Sequence, residues 1–163
     1  ADHIKATAPS ELIPHLLPFL KAKGIAVESG PDLKKVIPTL NTRSKTLVEM
    51  AEGAGFYYAE SVHYEPQAAQ KFLKKAVGEP LAILAHELES LDIFDEKHLE
   101  DAFKKVMAQT GLKLGKIAQP VRVALTGTTV SPGIFEIIDV LGKQPVLMRL
   151  KQALAFIQNR SET

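Results

Sequence analysis

Residues 81–107 read LAILAHELESLDIFDEKHLEDAFKKVM, and this stretch decides the fold class. Its leucines recur at steps of three or four residues, which places them on one face of an amphipathic helix. They are Leu81, Leu84, Leu88 and Leu91. Asp95 follows as an N-cap residue, and a second apolar stripe runs from Leu99 to Met107 and stops at Gly111. The pattern therefore predicts two consecutive α-helices.

The same period continues to the end of the chain. A closing helix is predicted around Leu147, Leu150 and Ile157, and a short helix starts at Ile134 and ends at Gly142. The nearest candidate for a strand is 121–125, and we interpret it as a helix. The predicted class is all-α.

Proline and glycine interrupt the first half more often. A helix is predicted from Pro9 to about Gly24, with Pro14 and Pro18 distorting or splitting it. A second, short helix starts at 30–32.

A third helix is predicted to begin at Thr42, which places Arg43 in its first turn, where a positive charge is unfavourable for the helix dipole. The Gly-Glu-Pro sequence at 78–80 is typical of a turn between domains. We therefore expect two small helical subdomains, 1–78 and 79–163.

The amino-acid composition excludes several classes of function. The 163 residues carry 20 Lys and Arg against 19 Asp and Glu, which excludes a polybasic tail and an acidic disordered segment. The chain has no cysteine, so disulfides, thiolate metal sites and a cysteine nucleophile are excluded. Since no apolar run approaches the roughly 20 residues of a membrane span, we expect no membrane association and a cytoplasmic location.

Catalytic and cofactor motifs are also missing from the sequence. No glycine-rich phosphate loop and no paired-histidine zinc motif occurs. His86 and Glu89 share a helical face, and we interpret them as a solvated surface pair. We therefore predict no catalytic residue and no metal site in this chain.

The distribution of charge is more informative than its sum. Between Asp101 and Glu136 there is no acidic residue, and five basic ones occur. They are Lys104, Lys105, Lys113, Lys116 and Arg122. Such a local basic surface is typical of binding to a polyanion, and Lys113 and Lys116 are candidate phosphate contacts.

Residues 126–133, TGTTVSPG, follow Arg122 as a loop rich in hydroxyl groups and backbone donors. A single-stranded RNA loop is bound by such donors together with apolar surfaces, and a plain helix connector uses the same small residues. Both interpretations stay open at this point. The aromatic triplet at 56–58 is interpreted as packing rather than as a platform for bases.

Several runs resemble the carboxy-terminal region of bacterial glutamyl-tRNA synthetases. They are KIAQPVRVALTG at 116–127, SPGI at 131–134, LGK at 141–143, RLKQAL at 149–154, RSKTLVEMA at 43–51 and FYY at 56–58. The resemblance covers nearly the whole chain and implies two all-helical subdomains that bind the anticodon of glutamate tRNA.

In that family ATP, magnesium and glutamate bind to an amino-terminal catalytic domain of the class I type in the same parent chain. Its H-I-G-H-like and K-M-S-K-S-like signatures are absent from this sequence. The resemblance therefore implies a fragment or a free-standing relative of the anticodon-binding part, which does not aminoacylate alone and is expected to be a monomer.

The resemblance also implies roles for single residues. Arg122 matches an arginine that contacts the first anticodon bases, and Ser131, Pro132 and Ile134 match the loop and helix start that pack against those bases. Arg43 matches an arginine that senses the third base, which implies the discriminating type that accepts glutamate and rejects glutamine anticodons. The alternative is a helical protein-interaction domain whose basic segment binds an acidic protein.

Overall fold

The computed structural model describes residues 8–28, 30–41 and 43–160. In these ranges the chain forms nine α-helices and one 3₁₀ helix at Lys75–Val77, and it contains no β-strand. The helices are α1 (Pro9–Ala22), α2 (Leu33–Leu40), α3 (Leu47–Tyr58), α4 (Pro66–Phe72), α5 (Gly78–Glu89), α6 (Glu96–Thr110), α7 (Leu114–Thr126), α8 (Ile134–Leu141) and α9 (Lys143–Gln158). The predicted all-α class is confirmed, and 121–125 lies within α7.

The chain divides into two compact units, Ala1–Glu60 and Ser61–Thr163. This division lies earlier than the predicted boundary near residue 78, because the intervening segment is hydrogen-bonded to the second unit. The side chain of Gln152 accepts from the Val62 amide at 3.1 Å and donates to the Val62 carbonyl at 2.8 Å.

The Gly-Glu-Pro sequence at 78–80 is not a turn between domains but the first turn of α5. Pro80 is buried there, and a proline is tolerated at the start of a helix because the first amide groups have no partner within the helix. The segment 61–77 therefore leads directly into α5.

In the first unit, α1 is one continuous helix across Pro14 and Pro18, so the predicted splitting does not occur. Leu12, Leu16 and Leu20 are buried at four-residue spacing, whereas both prolines are exposed. Carbonyl groups that lose their helical partner on this face can be solvated.

The aromatic triplet at 56–58 closes this unit. The Tyr57 hydroxyl is buried and lies 2.8 Å from Thr39 Oγ1, and the Tyr58 hydroxyl donates to the Pro31 carbonyl at 2.7 Å. Burial raises the pKa of Tyr58 to about 12. The two tyrosines are therefore engaged in packing.

Helix α3 begins later than predicted. Its first residue is Leu47, and the Thr46 side chain caps it by accepting from the Glu49 amide at 3.1 Å. Glu49 Oε1 in turn accepts from the Lys45 amide at 3.1 Å. The predicted start at Thr42 was wrong because Thr46 and Glu49 are the paired capping residues; Thr42 itself lies outside the described residues.

The core of the second unit is formed by α5, α6, α7 and α9. The predicted stripe on α5 is buried at Leu81, Leu84 and Leu88, and the Phe103 ring lies edge-on to Phe135 with centroids 5.1 Å apart. The predicted ends of α6 are confirmed: Asp95 accepts from the His98 amide at 2.9 Å, and Gly111 ends the helix with a φ of +75°.

Candidate nucleic-acid interface

Helix α7 carries three of the predicted site residues. Lys113 is its N-cap residue and Lys116 lies in its first turn; both are exposed, and this turn contains no acidic residue and no side-chain cap. A positive charge near a helix N-terminus is unfavourable by about 0.3–1 kcal/mol. The beginning of α7 therefore carries a charge that an anion would neutralise.

Arg122 lies in the second half of α7 and is half-buried between the buried residues Val121 and Val123. A side chain of α9 holds the end of this helix in place: Arg149 Nη1 donates to the Leu125 carbonyl at 2.7 Å. Arg149 is buried, and its burial lowers the pKa of its guanidinium group. Arg122 is thus carried by a rigid part of the helix.

The loop 127–133 begins at Gly127, whose φ of +84° is readily adopted only by glycine. A Cβ at this position would collide with the carbonyl oxygen of His63. The Gly127 carbonyl accepts from the Glu65 amide at 2.9 Å. The close approach of segment 61–65 therefore fixes the start of the loop.

Thr126 at the end of α7 and two residues of the loop use their hydroxyl groups in local hydrogen bonds. Thr126 Oγ1 donates to the Arg122 carbonyl at 2.8 Å, Thr128 Oγ1 donates to the Val130 carbonyl at 2.9 Å, and Ser131 Oγ donates to the Pro132 carbonyl at 2.9 Å. The hydroxyl groups that the sequence analysis considered as donors to RNA therefore stabilise the conformation of the loop.

The apolar side chains of the loop and of the following helix start differ in their exposure to solvent. Ser131 is half-buried, whereas Pro132 is buried and Ile134 is 7% exposed as the first residue of α8. Val130 is 73% exposed and is the loop's accessible apolar side chain. Sequence reasoning missed Val130 because an apolar residue among turn residues carries no signal that it faces solvent.

Arg43 belongs to the first unit, and the other predicted site residues belong to the second. Its position differs from the prediction, since it lies in the turn between α2 and α3 and not in the first turn of α3. The Arg43 amide donates to the Leu40 carbonyl at 3.1 Å, and its side chain is exposed. The dipole argument therefore does not apply to Arg43.

The acid-free surface of the second unit is larger than predicted. The segment 66–78 also contains no Asp or Glu and carries Lys71, Lys74 and Lys75. Its helix α4 packs against α7, which lies within the acid-free segment 102–135. The packing therefore unites two acid-free segments that are separate in the sequence, although Lys105 is paired with Glu87 at 3.7 Å.

A cavity of about 270 Å³ lies where these segments meet. Its walls include Lys71, Phe72, Lys74, Gly115, Lys116 and Pro120, and it is called the lysine cavity below. Among the ion pairs of the described residues, none involves the three lysines of this cavity.

Neither a metal centre nor a membrane span is found in the part of the chain that the structure describes. There, no three histidine, aspartate or glutamate side chains are grouped so that they could hold a metal ion. No helix in the same ranges is long and apolar enough to cross a bilayer.

The family described as anticodon binding domain matches residues 11–154 of this chain. The match covers most of the 163 residues and includes both units. The chain belongs to this anticodon-binding family.

Individual relatives specify the kind of protein to which the chain is similar. It is 52% identical over 161 residues to the glutamate–tRNA ligase of Syntrophobacter fumaroxidans, covering 99% of this chain and 34% of that protein. It is 53% identical over 158 residues to that of Desulfosudis oleivorans, covering 97% of this chain and 34% of the relative. The chain thus spans about a third of the length of these ligases.

The fold has a counterpart among solved structures. The crystal structure of a glutamate tRNA ligase from Elizabethkingia meningosepticum superposes with a TM-score of 0.83, covering 96% of this chain and 31% of that one. The identity is 18%, so this likeness supports the all-α fold alone.

Proposed function

We propose that this chain is the anticodon-binding part of a glutamate–tRNA ligase and that it binds the anticodon loop of glutamate tRNA. The observation that carries the proposal is the joined acid-free surface of the second unit, which contains exposed lysines, Arg122 and the loop 127–133. A segment without carboxylates attracts the phosphate backbone, and an arginine at its edge can bind a base.

In this proposal each predicted residue has a physical role. The planar guanidinium group of Arg122 donates to a base edge, and Ser131 with Pro132 and Ile134 shapes the surface on which that base rests. Pro132 and Ile134 contribute from below the surface because they are buried. The exposed Val130 supplies the apolar contact.

Arg43 is proposed to sense the third anticodon base from the first unit. Glutamate anticodons end in cytosine and glutamine anticodons in guanine, and an exposed arginine can donate to the carbonyl oxygen and ring nitrogen of cytosine. This makes the protein a discriminating ligase.

The proposal also places the parent protein's chemistry outside this chain. As the resemblance to glutamyl-tRNA synthetases implies, ATP and magnesium would bind to a catalytic domain amino-terminal to these residues in the parent protein. A monomeric chain and a cytoplasmic location complete the proposal.

The test is to titrate the chain with glutamate tRNA and with the same tRNA carrying an exchanged anticodon. We expect tighter binding of glutamate tRNA, and the Arg122→Ala variant should weaken it by about 5- to 150-fold, which corresponds to about 1–3 kcal/mol. Arg122→Lys is the matched control, because it keeps the charge and loses the planar fork. Equal binding of both tRNAs, or none, would favour the protein-interaction domain.

Arg43 is tested with two anticodon stem-loops that differ only in cytosine or guanine at the third base. We expect the chain to prefer cytosine, and Arg43→Gln should bring the ratio of the two dissociation constants close to one. A ratio that does not change would remove Arg43 from base discrimination without affecting the proposal for Arg122.

A further inference from the structure

The lysine cavity has no role in base recognition as proposed above, and its composition differs from that of the loop. Lys71 belongs to α4, Lys74 follows this helix, and Lys116 lies in the first turn of α7. Three cationic side chains from different segments therefore face one cavity. Like charges around one cavity repel each other, and an anion between them removes the repulsion.

The frame of the cavity is fixed by hydrogen bonds. Arg160 Nη1 donates to the Ala69 carbonyl at 2.9 Å and to the Leu73 carbonyl at 2.8 Å, which satisfies the end of α4. The Lys71 ammonium group lies 5.3 Å from the centre of the Phe72 ring. The backbone from which Lys71 and Lys74 extend is therefore held in place, and both residues are exposed.

The charged groups of the walls favour an anionic phosphate group over a neutral base edge. Lysines act as point charges that bind phosphate oxygens, and the cavity contains no arginine fork for a base edge. Gly115 in the cavity wall and Arg122 are seven residues apart on α7, which places them on nearly the same face of the helix and about 10 Å apart along its axis. A strand contacting Arg122 through a base can thus reach the cavity with a neighbouring phosphate group.

We infer that the lysine cavity binds phosphodiester groups of the RNA backbone, as a second contact site beside the base-reading residues. This inference rests on the proposed function, because it takes tRNA as the ligand. It differs from that function in kind: the cavity contributes affinity and salt dependence for any RNA strand and no preference for an anticodon.

The experiment measures the salt dependence of tRNA binding for the chain and for the triple variant Lys71→Gln, Lys74→Gln, Lys116→Gln. With about 0.7 counterions released per phosphate contact on a single strand, losing three contacts reduces the slope of log affinity against log salt by about 2. Between 50 and 200 mM salt the variant should therefore lose about 20-fold less affinity than the unchanged chain. Its preference for the glutamate anticodon should be unchanged.

Two control variants distinguish the effect of the cavity on the salt dependence from the effect of net charge. The triple variant Lys21→Gln, Lys97→Gln, Lys151→Gln removes the same charge from exposed positions outside the cavity. Gly115→Leu keeps every charge and fills the cavity, since a Cβ at Gly115 meets no atom within 4 Å. We expect the control triple to keep the slope and Gly115→Leu to reduce it.

The inference is overturned if the cavity triple keeps the slope of the unchanged chain, or if both triples reduce it equally. It is also overturned if inorganic phosphate, followed by amide shifts at 115–119, binds the cavity while the RNA slope stays unchanged in the cavity triple. In each case the chain can still prefer the glutamate anticodon. Failure of the proposed function is a different result, because the unchanged chain would then show no such preference.

Discussion

Gly127→Ala tests the close approach that fixes the start of the loop 127–133. Gly127 ends α7 with a φ of +84°, and its amide donates to the Val123 carbonyl at 2.7 Å. Alanine in the left-handed region costs roughly 1–2 kcal/mol. The added Cβ would also collide with the His63 carbonyl, so segment 61–65 must move and its hydrogen bond from Glu65 is lost, at about 0.5–1.5 kcal/mol. We expect a total destabilisation of about 1.5–3.5 kcal/mol.

Gly111→Ala is the matched control in the same unit. Gly111 ends α6 with a φ of +75°, its amide donates to the Met107 carbonyl at 2.8 Å, and a Cβ there meets nothing within 4 Å. The same substitution therefore carries the backbone cost without the collision. We expect about 1–2 kcal/mol for Gly111→Ala.

The assay is urea unfolding followed by far-UV circular dichroism. With a urea dependence of about 1–3 kcal/mol per molar, a difference of about 1 kcal/mol between the variants separates their midpoints by about 0.3–1 M. Gly127→Ala should have the lower midpoint. If both variants unfold at the same urea concentration, the approach of 61–65 does not constrain Gly127 and the reasoning is refuted.

Three further outcomes follow from single contacts. Arg149→Met keeps the apolar volume but leaves the buried Leu125 carbonyl without the guanidinium donor of Arg149. Urea unfolding should show that the free energy of unfolding is lower by about 1–3 kcal/mol. An unchanged midpoint would contradict the contact. Thr46→Ala should lower the free energy of unfolding by about 1 kcal/mol, and Thr46→Ser should lower it by much less, because serine can still cap α3 and alanine cannot. Equal losses in the two variants would exclude capping by Thr46. The pKa values of Tyr58 and Tyr64 are each raised to about 12, mainly by burial, from about 10 unfolded. The two tyrosines therefore lose their protons at lower pH in the unfolded chain than in the folded chain, and the free energy of unfolding falls from about pH 10 to pH 12. Urea unfolding at successive pH values should show a smaller fall for Tyr58→Phe and for Tyr64→Phe. A fall of unchanged size would refute the assignment.

The sequence predicted the helical elements of the second half well because each has a complete local signal. The apolar stripe of α5, the N-cap Asp95 and the end at Gly111 lie within a few residues of one another. The start of α3 was placed wrongly at Thr42, although the pair Thr46 and Glu49 was readable as a capping box. The local signal for the correct start was therefore present in the sequence, and the error came from preferring Thr42 to this capping pair.

Other features depend on tertiary contacts and have no local signal. The pairing of Gln152 with Val62 joins residues that are far apart in the sequence, and it assigns 61–65 to the second unit. The exposure of Val130 and the burial of Pro132 are likewise set by how the loop leaves α7. The roles of the site residues in tRNA binding stay predictions.

Charge segregation in the second unit explains how a chain with a net charge of +1 can present a surface to RNA. Eight of the 19 acidic residues fall within 79–101, where Lys97 is the single lysine and no arginine occurs. The flanking segments 66–78 and 102–135 contain no acid, and the contact of α4 with α7 brings them together. At physiological ionic strength a surface charge acts over about 8 Å, so a phosphate group at the lysine cavity experiences the nearby ammonium groups far more than the net charge of the chain. The packing of α4 on α7, and not the composition, is therefore what makes this domain suited to a polyanion.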